Sequence, residues 1–269
     1  MSLKLTSGYR LDLTQIARIL QYCAEHSMES ASRQSIADAV GLSTARVARL
    51  WMMGTALGLF EKGAWSITQL GSLVRQHDAF LDDTGTLWLL HYIIASNPDV
   101  TVWNLMTNVV IPANRKVTME VAKPYFAEEM REFSDLSYEV YLNKEIRSYL
   151  DAYTAQKLRG LGYLETEDRV TYVWGQKELI PAAIALACIL IHRDRFHPRA
   201  TAMDFTQLGR NVNTMGRVFN LTERQVRDLL EEIEGLGCVY VEIHADLDQI
   251  RFRDDYDFID VVRRYYEEH

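Results

Sequence analysis

Residues 43–49 read Ser-Thr-Ala-Arg-Val-Ala-Arg and hold the side chains in the N-terminal part of the chain that could do chemistry. Ser43 and Thr44 carry hydroxyls, Arg46 and Arg49 carry guanidinium forks, and no carboxylate stands among them. Arg33 upstream and Lys62 downstream add two further cations. Groups of these types donate to phosphate oxygens and to base edges in a major groove. The chemistry they suit is recognition of double-stranded DNA, although the same cations also fit a plain solvated face.

Two helices and a turn would have to position them. Ser32 caps the first helix, because its hydroxyl can accept an orphan N–H. Ile36, Ala37 and Val40 then share one apolar face. Gly41 ends that helix, since glycine enters a left-handed turn without steric penalty. Leu42 is the pivot, and Ser43 or Thr44 caps a second helix. Its Val47, Leu50, Trp51 and Gly54 point inward, which leaves Thr44, Ala45, Arg46, Ala48 and Arg49 outward. Gly58 closes it, and Leu59 to Ile67 predicts two short strands around Lys62-Gly63. Helix, glycine turn, helix and hairpin make a winged helix-turn-helix, a unit that also serves for dimerisation or as a scaffold.

The theme returns near the C-terminus. Asn220 to Val239 lies over Gly41 to Phe60 without a gap, with Leu221 on Leu42, Val226 on Val47, Leu229 on Leu50 and Gly237 on Gly58. A longer hairpin and a closing helix from Phe258 follow. The fold class expected is mainly α, with winged helix-turn-helix modules at both ends of a helical middle. The domains read as 1–80, 81–202 (with one short hairpin, Tyr163 to Trp174) and 203–269. In the second module Arg224 and Arg227 are followed by Glu231 and Glu232, carboxylates that a duplex would repel. That face suits a protein partner, or packing against the body of the chain.

Composition bounds the rest. The chain has 269 residues, a net charge of −8 and ordinary globular proportions of apolar and charged residues. Residues 1–75 carry eight Lys/Arg against five acids, a local +3 that leaves −11 for the remainder. A basic module can hold phosphate beside an acidic body, because distant charges are screened beyond roughly 8 Å. Met1 to Thr14 shows no signal peptide. The longest apolar run, Leu179 to Ile191, contains Pro181 and falls short of the ~20 residues a bilayer needs. Cys23, Cys188 and Cys238 lie far apart among apolar neighbours, as reduced core thiols do. A cytoplasmic protein without membrane contact is expected.

No nucleotide-binding glycine motif, nucleophile–base pair or ligand spacing appears, so no catalytic residue, metal site or cofactor is expected. His91, His192 and His197 read as core or surface histidines. Asp254, Asp255, Asp257 and Asp260 are the densest carboxylate cluster and suit helix capping better than a cation.

Ala56-Leu-Gly-Leu-Phe-Glu, Ile67-Thr-Gln-Leu-Gly and Asp82-Asp-Thr-Gly-Thr-Leu-Trp-Leu-Leu-His-Tyr-Ile-Ile-Ala-Ser-Asn-Pro resemble the bacterial domain-of-unknown-function family 4007. The resemblance covers about Gly41 to Asn108. That family usually opens with an aromatic and histidine-containing segment that Met1 to Leu20 lacks. Its members tend to be encoded beside phosphoadenosine-phosphosulfate-reductase-like genes in DNA sulfur-modification (phosphorothioation) and phage-defence clusters. The resemblance thus implies an accessory or regulatory protein of such a system, and the N-terminal module is where it is expected to contact DNA. An adaptor that docks a modification enzyme is the alternative, and an autonomous transcriptional repressor, which would be a homodimer on a palindromic site, is a third.

Overall fold

The computed structural model describes residues 5–6, 8–26, 32–130, 135–244, 247–253 and 256–268. Among these residues the protein is mainly helical with two small antiparallel sheets. It divides into two compact units, 1–178 and 179–269.

In the first unit, Asp12 caps α1 (Leu13–Glu25) by accepting from Gln15 N at 3.0 Å. The helix buries Leu13, Ile16, Ile19 and Leu20 against α2 (Arg33–Val40), α3 (Thr44–Ala56) and α4 (Gln69–His77). Ser32 and Ser35 form a reciprocal capping box at the start of α2, and Gly41 ends it at φ +67°. Ser43 caps α3. The two strands expected over 59–67 shrink to one bridge, Phe60 to Ile67, with Glu61 N donating to Ser66 O at 2.9 Å. So few residues separate the bridge partners that the turn consumes the rest of the ladder.

That turn is held from below. Trp51 stacks on Phe60 at 4.2 Å and meets Trp65 at 4.5 Å. Gly54 makes room for this: a Cβ built there would lie 2.3 Å from the Phe60 ring.

Asp83 caps α5 (Thr84–Ala95), with Thr86 N donating at 2.7 Å. The helix is buried from Gly85 onward, as its nearly unbroken apolar sequence requires. A continuous helical run follows: α6 (Thr101–Leu105), a π turn at 106–110 and α7 (Ile111–Ala113). Asn108 Nδ2, on the π turn, donates to the carbonyl of Ala95 at 3.1 Å and ties the run to the end of α5. Next come α8 (Met119–Ala122), a 3-10 turn through Pro124, α9 (Ala127–Met130) and α10 (Asp135–Thr154). α10 ends at Thr154, and a 3-10 turn over Lys157–Leu161 follows. Then β1 (Leu164–Glu165) pairs with β2 (Val173–Trp174).

Trp103 packs between Tyr149 and Tyr153 from α10, while the Tyr153 hydroxyl meets His91 Nδ1 at 2.5 Å. Burial pushes both tyrosines well above the usual phenol range. The Tyr149 and Tyr153 hydroxyls are sealed in the interior with Thr107 and His91 as partners, whereas the buried Trp103 indole N–H has none among the described residues.

The second unit starts with α11 (Ala182–Phe196), which packs on α14 (Glu223–Glu234) and α15 (Phe258–Glu268). Between them run β3 (Ala202–Asp204), α12 (Phe205–Arg210) and α13 (Met215–Val218). After α14, β4 (Val239–His244) and β5 (Leu247–Phe252) complete a sheet of order β3-β5-β4. The two compact units divide at 178/179. α11 is buried on nearly all sides, and its apolar pattern shows that it is central without showing to which elements. This unit contains eleven arginines and no lysine, Lys177 being the last lysine of the chain.

His192, at the end of α11, is buried, and its Nδ1 lies 2.9 Å from the carbonyl of Asn213. Burial, aided by His197 and Arg195 and opposed by that hydrogen bond, pushes its pKa from 6.5 down to about 4. An unfolded chain takes up the proton first as pH falls. The stability His192 contributes is therefore complete above pH 6.5 and lost as pH drops towards 4. The thermal midpoint is expected to fall across that window, and His192→Gln to flatten the fall.

Candidate nucleic-acid interface

The six residues read as DNA contacts all lie in the first unit, but they do not form one equivalent set. Ser43 caps α3, its hydroxyl accepting from Arg46 N at 3.2 Å. Thr44 begins the helix and is half-buried. Arg33 is exposed at the first position of α2, and Lys62 is exposed in the turn that Trp51, Phe60 and Trp65 support. Arg49 is half-buried on the outer side of α3, with Nη1 3.7 Å from the Met52 sulfur. Arg33, Arg49 and Lys62 make no ion pair among the described residues.

Arg46 departs from the outward reading. Its side chain is only 19% exposed, its Nη2 sits 3.5 Å from Asp12 Oδ2, and its guanidinium lies over the Tyr9 ring at 5.0 Å. It braces α3 to the start of α1. Helical phase carried this signal: Arg46 stands four and seven positions before Leu50 and Met53, both fully buried. The partners Asp12 and Tyr9 had no such signal, being distant in sequence and brought in by the fold. Arg46→Ala is expected to lower the thermal midpoint by about 2 °C, as loss of a partly exposed pair worth up to ~1 kcal/mol implies. A salt titration of duplex binding by the same variant should keep its slope.

The C-terminal candidates are differently placed. Arg224 pairs with Asp228 one turn on at 3.7 Å, and Arg227 pairs with Asp248, tying α14 to β5. Glu231 and Glu232 are exposed. Arg193, Arg210, Arg251, Arg263 and Arg264 also have carboxylate partners, so most cations of this unit are already neutralised.

Among the described residues, no three His, Cys, Asp or Glu side chains come together as a metal site, and Asp254 and Asp255 lie outside those residues. All three cysteines are buried and free, and burial holds the Cys23 thiol up at about 11. No helix of the described residues is long and apolar enough to cross a membrane.

Residues 39–266 match the family described as Protein of unknown function (DUF4007). The chain belongs to this family. The match extends far beyond the 41–108 segment that carries the sequence resemblance, through the second unit to α15. Two solved structures are similar. One is described as magnesium ion-bound SspB, at 15% identity, and the other as SspB, at 14%. Each aligns with a TM-score of 0.78 over 97% of this chain and 86% of the other. At that identity the likeness establishes a shared fold. No curated protein matches the chain.

Proposed function

We propose that the protein is a non-enzymatic DNA-binding accessory or regulatory factor that contacts a duplex through the outer face of α3, with Arg33 and Lys62 flanking it. The observation that carries this reading is a contrast in charge. Arg33, Arg49 and Lys62 have no anionic partner among the described residues, and α3 contains no acid. In the second unit, arginine after arginine is held by a carboxylate. Unpaired cations beside the positive end of a capped helix attract phosphate.

On this reading α1–α4 are a winged helix-turn-helix whose wing is cut to the Phe60–Ile67 bridge and carries Lys62. The β3-β5-β4 sheet with α12–α14 is a second such module with a neutralised surface. Family resemblance supports a place in a cytoplasmic DNA-modification and phage-defence system. Binding of the full chain to a mixed-sequence duplex, followed by fluorescence anisotropy at two salt concentrations, tests the proposal. Salt-sensitive binding is expected. Absence of binding at low salt would overturn it.

One observation favours a second reading, an adaptor for a modification enzyme: Glu231, Glu232 and Glu234 are all exposed on α14. Charge reversal at Glu231 and Glu232 should then abolish capture of such an enzyme while leaving duplex binding unchanged.

A further inference from the structure

The exposed side of α3 is unusual for a surface helix in what it omits. Counted at one turn per 3.6 residues, its outer face runs through Thr44, Ala45, Ala48, Arg49, Met52 and Thr55. All six are exposed or half-buried, and no amide, carboxylate or lysine is among them. The Arg46–Asp12 pair and the buried Val47, Leu50 and Met53 fix the roll of the helix, so this face cannot rotate inward. Arg49 lies at its edge, held by the Met52 sulfur and by no anion among the described residues.

Base pairs differ in what they offer such a surface. Adenine is read by the paired donor and acceptor of Asn or Gln, and cytosine by a carboxylate; α3 presents neither on this face. Thymine offers a C5-methyl to apolar groups, and guanine offers two acceptors to an arginine fork. Small side chains at Ala45 and Ala48 also let the helix backbone approach the base edges closely.

We propose that α3 discriminates duplexes by thymine methyl groups, through Ala45, Ala48 and Met52, with Arg49 directed at an adjacent guanine. This rests on the DNA-binding reading above and names the class of duplex that it selects. Burying a methyl is worth about fourfold in affinity, so two in contact give about fifteenfold.

The test compares one A·T-rich duplex synthesised with thymine or with uracil, which lacks only the methyl, at fixed low salt. The full chain is expected to bind the thymine duplex about fifteenfold more tightly. In an Ala45→Ser/Ala48→Ser/Met52→Gln variant this ratio should fall towards unity, circular dichroism reporting that the helices are retained. Equal affinity of the native chain for both duplexes overturns the inference and leaves DNA binding standing. A thymine preference that survives in the variant also overturns it, because the methyl is then read elsewhere. Failure to bind either duplex removes the DNA-binding reading and this inference together. Should the variant not fold, the thymine–uracil comparison on the native chain still decides.

Discussion

Exchanging Arg49 and Lys62 together for alanine is expected to weaken duplex binding about thirty- to hundredfold at low salt, roughly 2–3 kcal/mol. Neither cation has an internal carboxylate among the described residues. Removing them therefore costs the fold little, and stability should stay within about 0.5 kcal/mol of the native chain, as for ordinary surface changes. Their loss should also flatten the dependence of log affinity on log salt by about 0.9 for each phosphate contact removed. Adding Arg33→Ala extends the same trend. The contrast with Arg46→Ala is the informative part. One arginine on α3 should move the melting temperature, and its neighbour three residues on should move the salt slope. An unchanged slope in the double variant would take the interface away from this face and shift weight to the adaptor reading.

Gly54→Ala is expected to destabilise the protein by about 2–3 kcal/mol and to lower its thermal midpoint by about 4–10 °C. Helix propensity alone predicts the opposite sign, since alanine is better than glycine in a helix by about 1 kcal/mol. Packing decides the outcome. The new Cβ would stand 2.3 Å and 2.4 Å from two carbons of the Phe60 ring. That ring is fully buried and stacked on Trp51, so it has no free direction in which to move. Phe60→Leu in the same chain should recover part of the loss, the mark of a coupled pair. Because Phe60 and Trp51 also underlie the turn bearing Lys62, the single variant should bind DNA more weakly too. A chain stabilised by Gly54→Ala would show that the ring is mobile and that the turn is not built as described.

Local signals in the sequence carried much of this architecture. Ser32, Gly41 and Ser43 act where capping chemistry places them, because a cap depends only on residues within one turn. The pairing of β1 with β2 and of β4 with β5 follows from alternation on either side of a polar turn. Contacts distant in sequence were not legible. Arg46 looks like a surface cation until Asp12 and Tyr9 are brought beside it, and only its phase with Leu50 and Met53 hints at the brace. At residues 59–67 alternation implies strands without saying how many residues the turn will use, and only the Phe60–Ile67 bridge remains. The packing partners of α11 are likewise not local. An all-round apolar helix declares burial, but its neighbours α14 and α15 lie many residues downstream.

The distribution of lysine has a practical outcome. With Lys177 one residue before the division at 178/179 and no lysine after it, a lysine-specific protease can cut at the seam but nowhere within the second unit. Limited digestion should therefore release residues 178–269 as one intact fragment, whatever happens upstream. Its melting curve would show whether the arginine–carboxylate pairs and the α11 core sustain a fold on their own. Applied to immobilised duplex, the same digest would sort the two halves of the chain by which one stays behind.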